Sequence, residues 1–308
     1  MHQYRYLFGP VPSRRLGQSL GVDLIPSKTC TLDCRFCQIG PTTGLSMERK
    51  AYVPIRDVMD ELEQWLGENA APDYLTLSGA GEPTLHINFG DILQFMRRTT
   101  TIRTALLSNG SLFHLPEVRA AALNTTLVKV SLSAWDQASF AKVNRPHPDL
   151  RFDAMVAGYQ AFRAQYPGTF AVEVFFIKGM NDALADVARI ARIIQAIRPD
   201  KIQLNTAVRP PAETDTLPLS RDELAERAAL FGPDAEVIAD FKASSSSQVF
   251  DKASIEELLK RHPATATELA AVLGRPMEQI RQELGQLQQA GRIKASSAAA
   301  DPSYQVVM

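Results

Sequence analysis
Between residue 20 and about residue 240 the chain switches back and forth between two hydrophobic periods, and this alternation leaves few folds open. β-rich runs at residues 20–25, 74–78, 104–108, 127–133, 170–177 and 201–205 read as six strands. Amphipathic stretches separate them: 54–66, with Val58, Leu62 and Leu66 four apart, then 89–96, 183–197 and 220–230, and a short helix between the third and fourth strands. Strands that alternate with helices pair in parallel, because a parallel pair needs a long crossover. The expected fold class is α/β, as an open doubly wound sheet or a barrel, and periodicity does not choose between them.

Cys30, Cys34 and Cys37 follow the first strand and are the only cysteines in the chain. An odd count suits no disulfide framework. A structural zinc site wants four ligands, and no histidine lies in this loop to serve as the fourth. Three thiolates spaced by three and then two residues suit three corners of a cubane iron–sulfur cluster, whose usual complement is four cysteines. The remaining iron would be open to a ligand. A zinc site borrowing a ligand, or a chance triplet, stays as the alternative.

The Cys-x-x-x-Cys-x-x-Cys spacing, with Phe36 directly before the last cysteine, resembles the radical S-adenosylmethionine (SAM) superfamily. The resemblance implies a partial (β/α)6 TIM-like barrel over residues 1–241, with chemistry at the carboxyl ends of the strands. It implies a 4Fe-4S cluster with Cys30, Cys34 and Cys37 as metal ligands and SAM on the open iron. Reductive cleavage would give methionine and a 5′-deoxyadenosyl radical, with electrons from a donor such as flavodoxin or ferredoxin.

Leu77-Ser-Gly-Ala-Gly-Glu-Pro-Thr-Leu85, at the end of the second strand, is similar to the Gly-Gly-Glu turn that binds the SAM amino group in this family. Gly79, Ala80, Gly81 and Glu82 are its candidate cofactor-binding residues, with Ala80 where glycine is frequent. Small residues let a backbone approach a ligand closely. Phe36 is the candidate aromatic beside SAM. Asn109, Ser131, Ser133 and Asn205, at later strand ends, are candidates to hydrogen-bond the cofactor, and read equally well as turn residues. Arg14, Arg15 and Arg209 are candidate substrate contacts, since a guanidinium takes carboxylate or phosphate bidentately. Lys178, after the fifth strand, is a candidate base or a simple turn cap.

Phe8-Gly-Pro-Val-Pro-Ser-Arg-Arg-Leu-Gly17 is similar to the head of an Fe–S oxidoreductase branch, loosely like the wyosine-forming tRNA enzymes. The archaeal members of that group carry additional N-terminal cysteines. Sulfur insertion, multi-cluster peptide maturation and adenine methylation through a cysteine pair also need more than three. Single-cluster hydrogen abstraction is what the count leaves.

Residues 1–56 hold eight Lys or Arg against three acids. This is either a positive mouth for an anionic substrate, or compensation for a thiolate-ligated cluster and solvated charge. The net charge of −1 exerts no global pull on nucleic acid. No signal-like run opens the chain and no stretch approaches the ~18 apolar residues of a membrane span, so a cytoplasmic protein without a membrane partner is expected.

A Ser-rich linker at 242–250 precedes a change of pattern: helical runs at 254–261, 267–273 and 276–290, then two short β-runs. Residues 251–308 thus read as a small C-terminal winged-helix domain. Its seven basic residues balance seven acids, which disfavours duplex DNA as a partner. The leading reading is a radical SAM enzyme that abstracts hydrogen from an unidentified anionic or macromolecular substrate, RNA or tRNA among the candidates. A peptide- or protein-modifying enzyme that docks its partner on the winged helix, or one with a small anionic substrate, is the alternative. A non-enzymatic Fe–S or zinc redox regulator is the rival class, and it has no need of the Gly79–Glu82 turn.

Overall fold
The computed structural model describes residues 4–13, 15–207, 211–213, 215–239, 255–261, 263–295 and 301–307. Its strands are β1 (Leu7–Ser13), β2 (Gly17–Val22), the short β3 (Thr29–Cys30) and β4 (Gly44–Leu45), β5 (Tyr74–Leu77), β6 (Arg103–Leu107), β7 (Leu127–Ser131), β8 (Thr169–Phe176), β9 (Lys201–Thr206) and β10 (Ala235–Val237). One eight-stranded sheet runs β1-β2-β5-β6-β7-β8-β9-β10, and β3 pairs with β4 apart from it. From β2 onward every neighbouring pair is parallel. The fold is therefore α/β with a mostly parallel central sheet.

The connections carry α1 (Ile55–Glu68), α2 (Phe89–Thr99), α3 (Pro116–Ala122), α4 (Gln137–Asn144), α5 (Phe152–Arg163), α6 (Leu184–Ile197) and α7 (Arg221–Ala228). Strand β8 shows why the sheet has two different faces. Phe170 and Phe176 lie over the helix side, against Phe162 of α5 and Phe231 beyond α7. The alternate residues Ala171, Glu173 and Phe175 point to the opposite, inner face of the sheet, called its lumen below, as period-two alternation requires. The main core lies between the sheet and its helices, with Val187, Ile190 and Ile194 as the buried stripe of α6.

Several elements differ from the sequence reading. The segment with Pro10 and Pro12 is a strand, antiparallel to β2, with a bulge between Phe8 and Val11. Proline is tolerated there because β1 is the edge of the sheet. Glu61 of α1 tethers its start, accepting the N–H groups of Arg5, Tyr6 and Leu7 at 2.7–2.9 Å. Between β7 and β8 stand two helices where none is expected, and β10 adds a seventh parallel strand. The first strand ends at Val22 and the fourth at Ser131.

The C-terminal residues form α8 (Ile255–Arg261), β11 (Ala264–Thr265), α9 (Ala266–Leu273), α10 (Met277–Gln289), β12 (Ile293–Ala295) and β13 (Ser303–Val306). The three strands make an antiparallel sheet in the order β11-β13-β12. Their core gathers Ile255, Leu258, Leu269, Leu273, Ile280, Leu284 and Ile293, and Val11 of β1 packs against it. A capping box between Thr265 and Glu268 starts α9, and Gly274 in the left-handed region (φ 58°) ends it. The linker expected at 242–250 lies outside the described residues. Among the described residues no helix is long and apolar enough to cross a membrane.

Candidate functional site
The cysteine loop leaves the carboxyl end of β2 and is stitched to distant parts of the chain. Lys28, in the left-handed region (φ 66°), opens it, its N–H donating to Ala80 O at 2.7 Å. The N–H of Asp33 reaches the carbonyls of Asn144 and Arg145, and that of Arg35 reaches Val143, all at the end of α4. The N–H of Glu213 and the hydroxyl of Thr216 then donate to Arg35 O. Phe36 stacks on Phe175 at 4.2 Å between centroids, which sets the loop over the lumen.

Two side-chain amides point at the thiols. Asn109 Nδ2 lies 3.4 Å from Cys30 Sγ, and Asn144 Nδ2 lies 3.3 Å from Cys34 Sγ. Burial pushes the Cys30 thiol up to about 12, with the nearby Glu82 charge adding to the effect and the Asn109 amide opposing it. Burial also raises Cys34 and Cys37, and the Lys28 ammonium offsets part of the effect at Cys37. A thiol raised in this way is held as a thiolate by a coordinating metal. Among the described residues no three His, Cys, Asp or Glu side chains converge on a single-ion site. A cubane asks for something different, since each cysteine takes a different iron. Three sulfurs in one loop, two with N–H donors, fit that group.

The Gly79–Glu82 turn packs directly under the loop. A Cβ at Gly79 would lie 2.0 Å from Asp23 Oδ1, and one at Gly81 would lie 2.1 Å from Thr29 O. The glycines thus let the turn press on the end of β2 and on the loop itself. Glu82 is 1% exposed, and its carboxylate accepts from Thr84 N (3.0 Å), Thr84 Oγ1 (2.6 Å), Ser108 Oγ (2.7 Å) and Asn109 N (2.7 Å). It ties the ends of β5 and β6 together, and through Asn109 it fixes the amide that meets Cys30.

Below Phe175 the lumen is polar. Glu173 is met by the Arg15 guanidinium, by Lys129 Nζ at 3.0 Å and by Asn205 Nδ2 at 2.9 Å. Burial alone would raise its pKa. The charges of Arg15 and Lys129, with the Asn205 amide, outweigh burial and hold it down to about 2.

Residues 24–193 of the chain, from the end of β2 into α6, match the model of the Radical SAM superfamily. The chain belongs to the radical SAM superfamily. Membership makes it an enzyme of the radical SAM class, which uses a 4Fe-4S cluster and SAM. This radical SAM protein is similar to a UPF0026 protein of Methanocaldococcus jannaschii, 36% identical over 226 residues, covering 73% of this chain and 70% of that one. A UPF0026 protein of Helicobacter pylori (strain J99) is 32% identical over 273 residues, 87% of each chain. It is also 30% identical over 305 residues to a Brachyspira hyodysenteriae protein named GTPase Obg, covering 97% of this chain but only 45% of that one. The present sequence has no Gly-Lys pair and hence no Gly-x-x-x-x-Gly-Lys phosphate loop. Among solved structures, TYW1 with a lysine-pyruvate adduct aligns at TM-score 0.53 and 16% identity, over 70% of this chain and 74% of that one. A radical SAM methyltransferase from Sphaerobacter thermophilus aligns at 0.51 and 16%, over 71% and 65%. These two structures share the fold.

Of the sequence-derived candidates in this radical SAM protein, the loop brings together Cys30, Cys34, Cys37, Phe36, Gly79, Ala80, Gly81, Glu82 and Asn109. Arg15, Ser131 and Asn205 stand in the lumen below them. Ser133 is buried in the wall, where its Oγ accepts the Phe175 N–H at 2.9 Å. Lys178 points outward to Glu223 at 2.6 Å and is 48% exposed, an ion pair on the surface. Arg14 and Arg209 lie outside the described residues. Four of the eight cations in residues 1–56 are ion-paired: Arg15 with Glu173, Arg35 with Asp215 (3.2 Å), Arg49 with Glu117 (3.2 Å) and Lys50 with Glu48 (2.7 Å). The reading missed Asn144, Lys129, Glu173 and Gln203. The signal for Glu173 and Lys129 was present, as single charges inside otherwise apolar strands.

Proposed function
We propose that Cys30, Cys34 and Cys37 hold the cluster, that the turn at Gly79–Glu82 seats SAM beside it, and that hydrogen is abstracted from a small anionic substrate in the lumen. The observation that carries this reading is the cysteine loop held over the lumen, with amides of Asn109 and Asn144 on two of its sulfurs. When bound, the cluster supplies the electron that cleaves SAM to methionine and a 5′-deoxyadenosyl radical. Glu82 and the two asparagines orient the loop, and the stack of Phe36 on Phe175 anchors it to β8.

The paired state of Arg15, Arg35, Arg49 and Lys50 supports a small substrate over RNA, whose affinity rests on cations available to phosphates. The order α8-β11-α9-α10-β12-β13 supports a winged-helix reading of the C-terminal module. Its neutral charge and its shared packing with Val11 support a packing or protein-docking role. The test is anaerobic reconstitution with iron and sulfide, then incubation with SAM and dithionite, reading 5′-deoxyadenosine by mass. Wild type should form it and Cys34→Ala should not. A protein that binds four irons but never cleaves SAM would refute the reading.

A further inference from the structure
The floor of the lumen carries a cluster of polar groups that neither the cluster nor SAM explains. Register sets Ser131 of β7 opposite Glu173 of β8, and Glu173 opposite Gln203 of β9, on the lumen face. Arg15, Lys129 and Asn205 converge on the Glu173 carboxylate. Two cations against one anion leave this group with a net charge of +1.

It also leaves hydrogen-bonding capacity unused. Gln203 is 4% exposed and its Oε1 is buried without a partner. The Nε–H of Arg15, whose guanidinium meets Glu173, is buried without one as well. An ion-pair cluster built only to close a barrel floor satisfies its own donors and acceptors, because unmatched buried polar groups are costly. Here one donor, one acceptor and one positive charge are left over around a single carboxylate. The cations of the cluster keep an exposed margin, the Lys129 side chain being 12% exposed and that of Arg15 20%.

We infer that Arg15, Lys129 and Gln203 bind the substrate through a carboxylate that has a neutral hydrogen-bond donor beside it, a 2-hydroxy or N-acyl carboxylate. The carboxylate neutralises the residual charge and accepts from Arg15, while the adjacent O–H or N–H donates to Gln203. A zwitterionic amino acid brings no net negative charge and would set an ammonium near two cations. A phosphate dianion overshoots the charge. This assignment rests on the radical SAM reading above, and deepens it by naming the substrate class.

The test uses full-length, anaerobically reconstituted protein with SAM and isothermal titration of lactate as the probe. Propionate lacks the hydroxyl, lactamide the charge and alanine the neutral donor, and inorganic phosphate tests the other anion. Lactate should bind at least tenfold more tightly than each of the four. Gln203→Leu should bring lactate and propionate within twofold of each other. The near-isosteric Gln203→Glu, a second variant should the first not fold, should abolish lactate binding by charge repulsion. No lactate binding, equal binding of lactate and propionate by wild type, tighter phosphate, or a preference that survives either substitution overturns the assignment. SAM is titrated separately into the same sample. Loss of SAM binding sinks the underlying reading, whereas SAM binding without lactate binding sinks only this one.

Discussion
Replacing Glu173 by Gln removes the carboxylate that Arg15, Lys129 and Asn205 meet in the lumen, and the cost can be worked out in two ways. The ordinary carboxyl pKa of 4.5 is lowered to about 2 in the folded chain, and at about 1.36 kcal/mol per unit this is about 3 kcal/mol of stability at neutral pH. Independently, orphaning a buried cation by deleting its partner costs about 3–5 kcal/mol. The two agree. Because the folded pKa is depressed, the contribution is complete above about pH 4.5 and is lost as pH falls towards 2, with about 2 kcal/mol gone by pH 3. Urea unfolding of wild type and Glu173→Gln should therefore differ by about 3 kcal/mol at pH 7, and the gap should close on acidification. Cluster loss in acid affects both proteins and cancels in the difference. Lys129→Met on the Glu173→Gln background should restore stability, because it removes one orphaned cation. A gap below about 1 kcal/mol at pH 7, or one that acid leaves unchanged, refutes the electrostatic account.

Four further outcomes follow from the site. Asn144→Leu and Asn109→Leu each remove an N–H donor from a cysteine sulfur, so the cluster midpoint in an EPR-monitored titration should move to more negative potential. Gly81→Ala drives a Cβ towards the Thr29 carbonyl at 2.1 Å, and should cost about 1–3 kcal/mol with reduced iron per chain after reconstitution. Phe36→Ala breaks the stack on Phe175, and about 1 kcal/mol of loop stabilisation beyond buried area should be lost, read as faster hydrogen exchange of the Cys34–Cys37 amides. Val11→Asp places a charge against the C-terminal core, and the β1 amides should exchange faster while those of β8 do not change.

Much of the site was legible because it is local in sequence. The cysteines lie within one loop, and the glycine turn is a contiguous run at a strand end. The parts that were not legible are those that depend on strands meeting. Glu173 sits in Phe-Ala-Val-Glu-Val-Phe-Phe, which is dominated by its apolar side, and only the register with Ser131 and Gln203 shows what the glutamate faces. Helix α4 escaped notice because Gln137–Asn144 has little amphipathic contrast, although Asp136 and Ser139 spell its capping box. Missing α4 also meant missing Asn144, the amide on Cys34. Pro10 and Pro12 argued against a strand at β1, and the edge position is what admits them. The cationic head of the chain was read by composition, which cannot see that most of its partners come from elsewhere in the fold.

The way the cysteine loop is sewn into the fold sets an order of events during synthesis. The amide on Cys34 comes from a residue 110 positions later, and the hydroxyl that closes on Arg35 comes 181 positions later. At roughly 5–20 residues per second, the three thiols leave the ribosome about 10–40 seconds before the last of their supports. At the start of that interval the loop has neither its amide donors nor its aromatic stack, which arrive in turn with Asn109, Asn144 and Phe175. Metal loading thus belongs after the chain has reached Thr216, and the newborn chain passes through a stage in which its thiols depend on the surrounding redox conditions to stay unpaired.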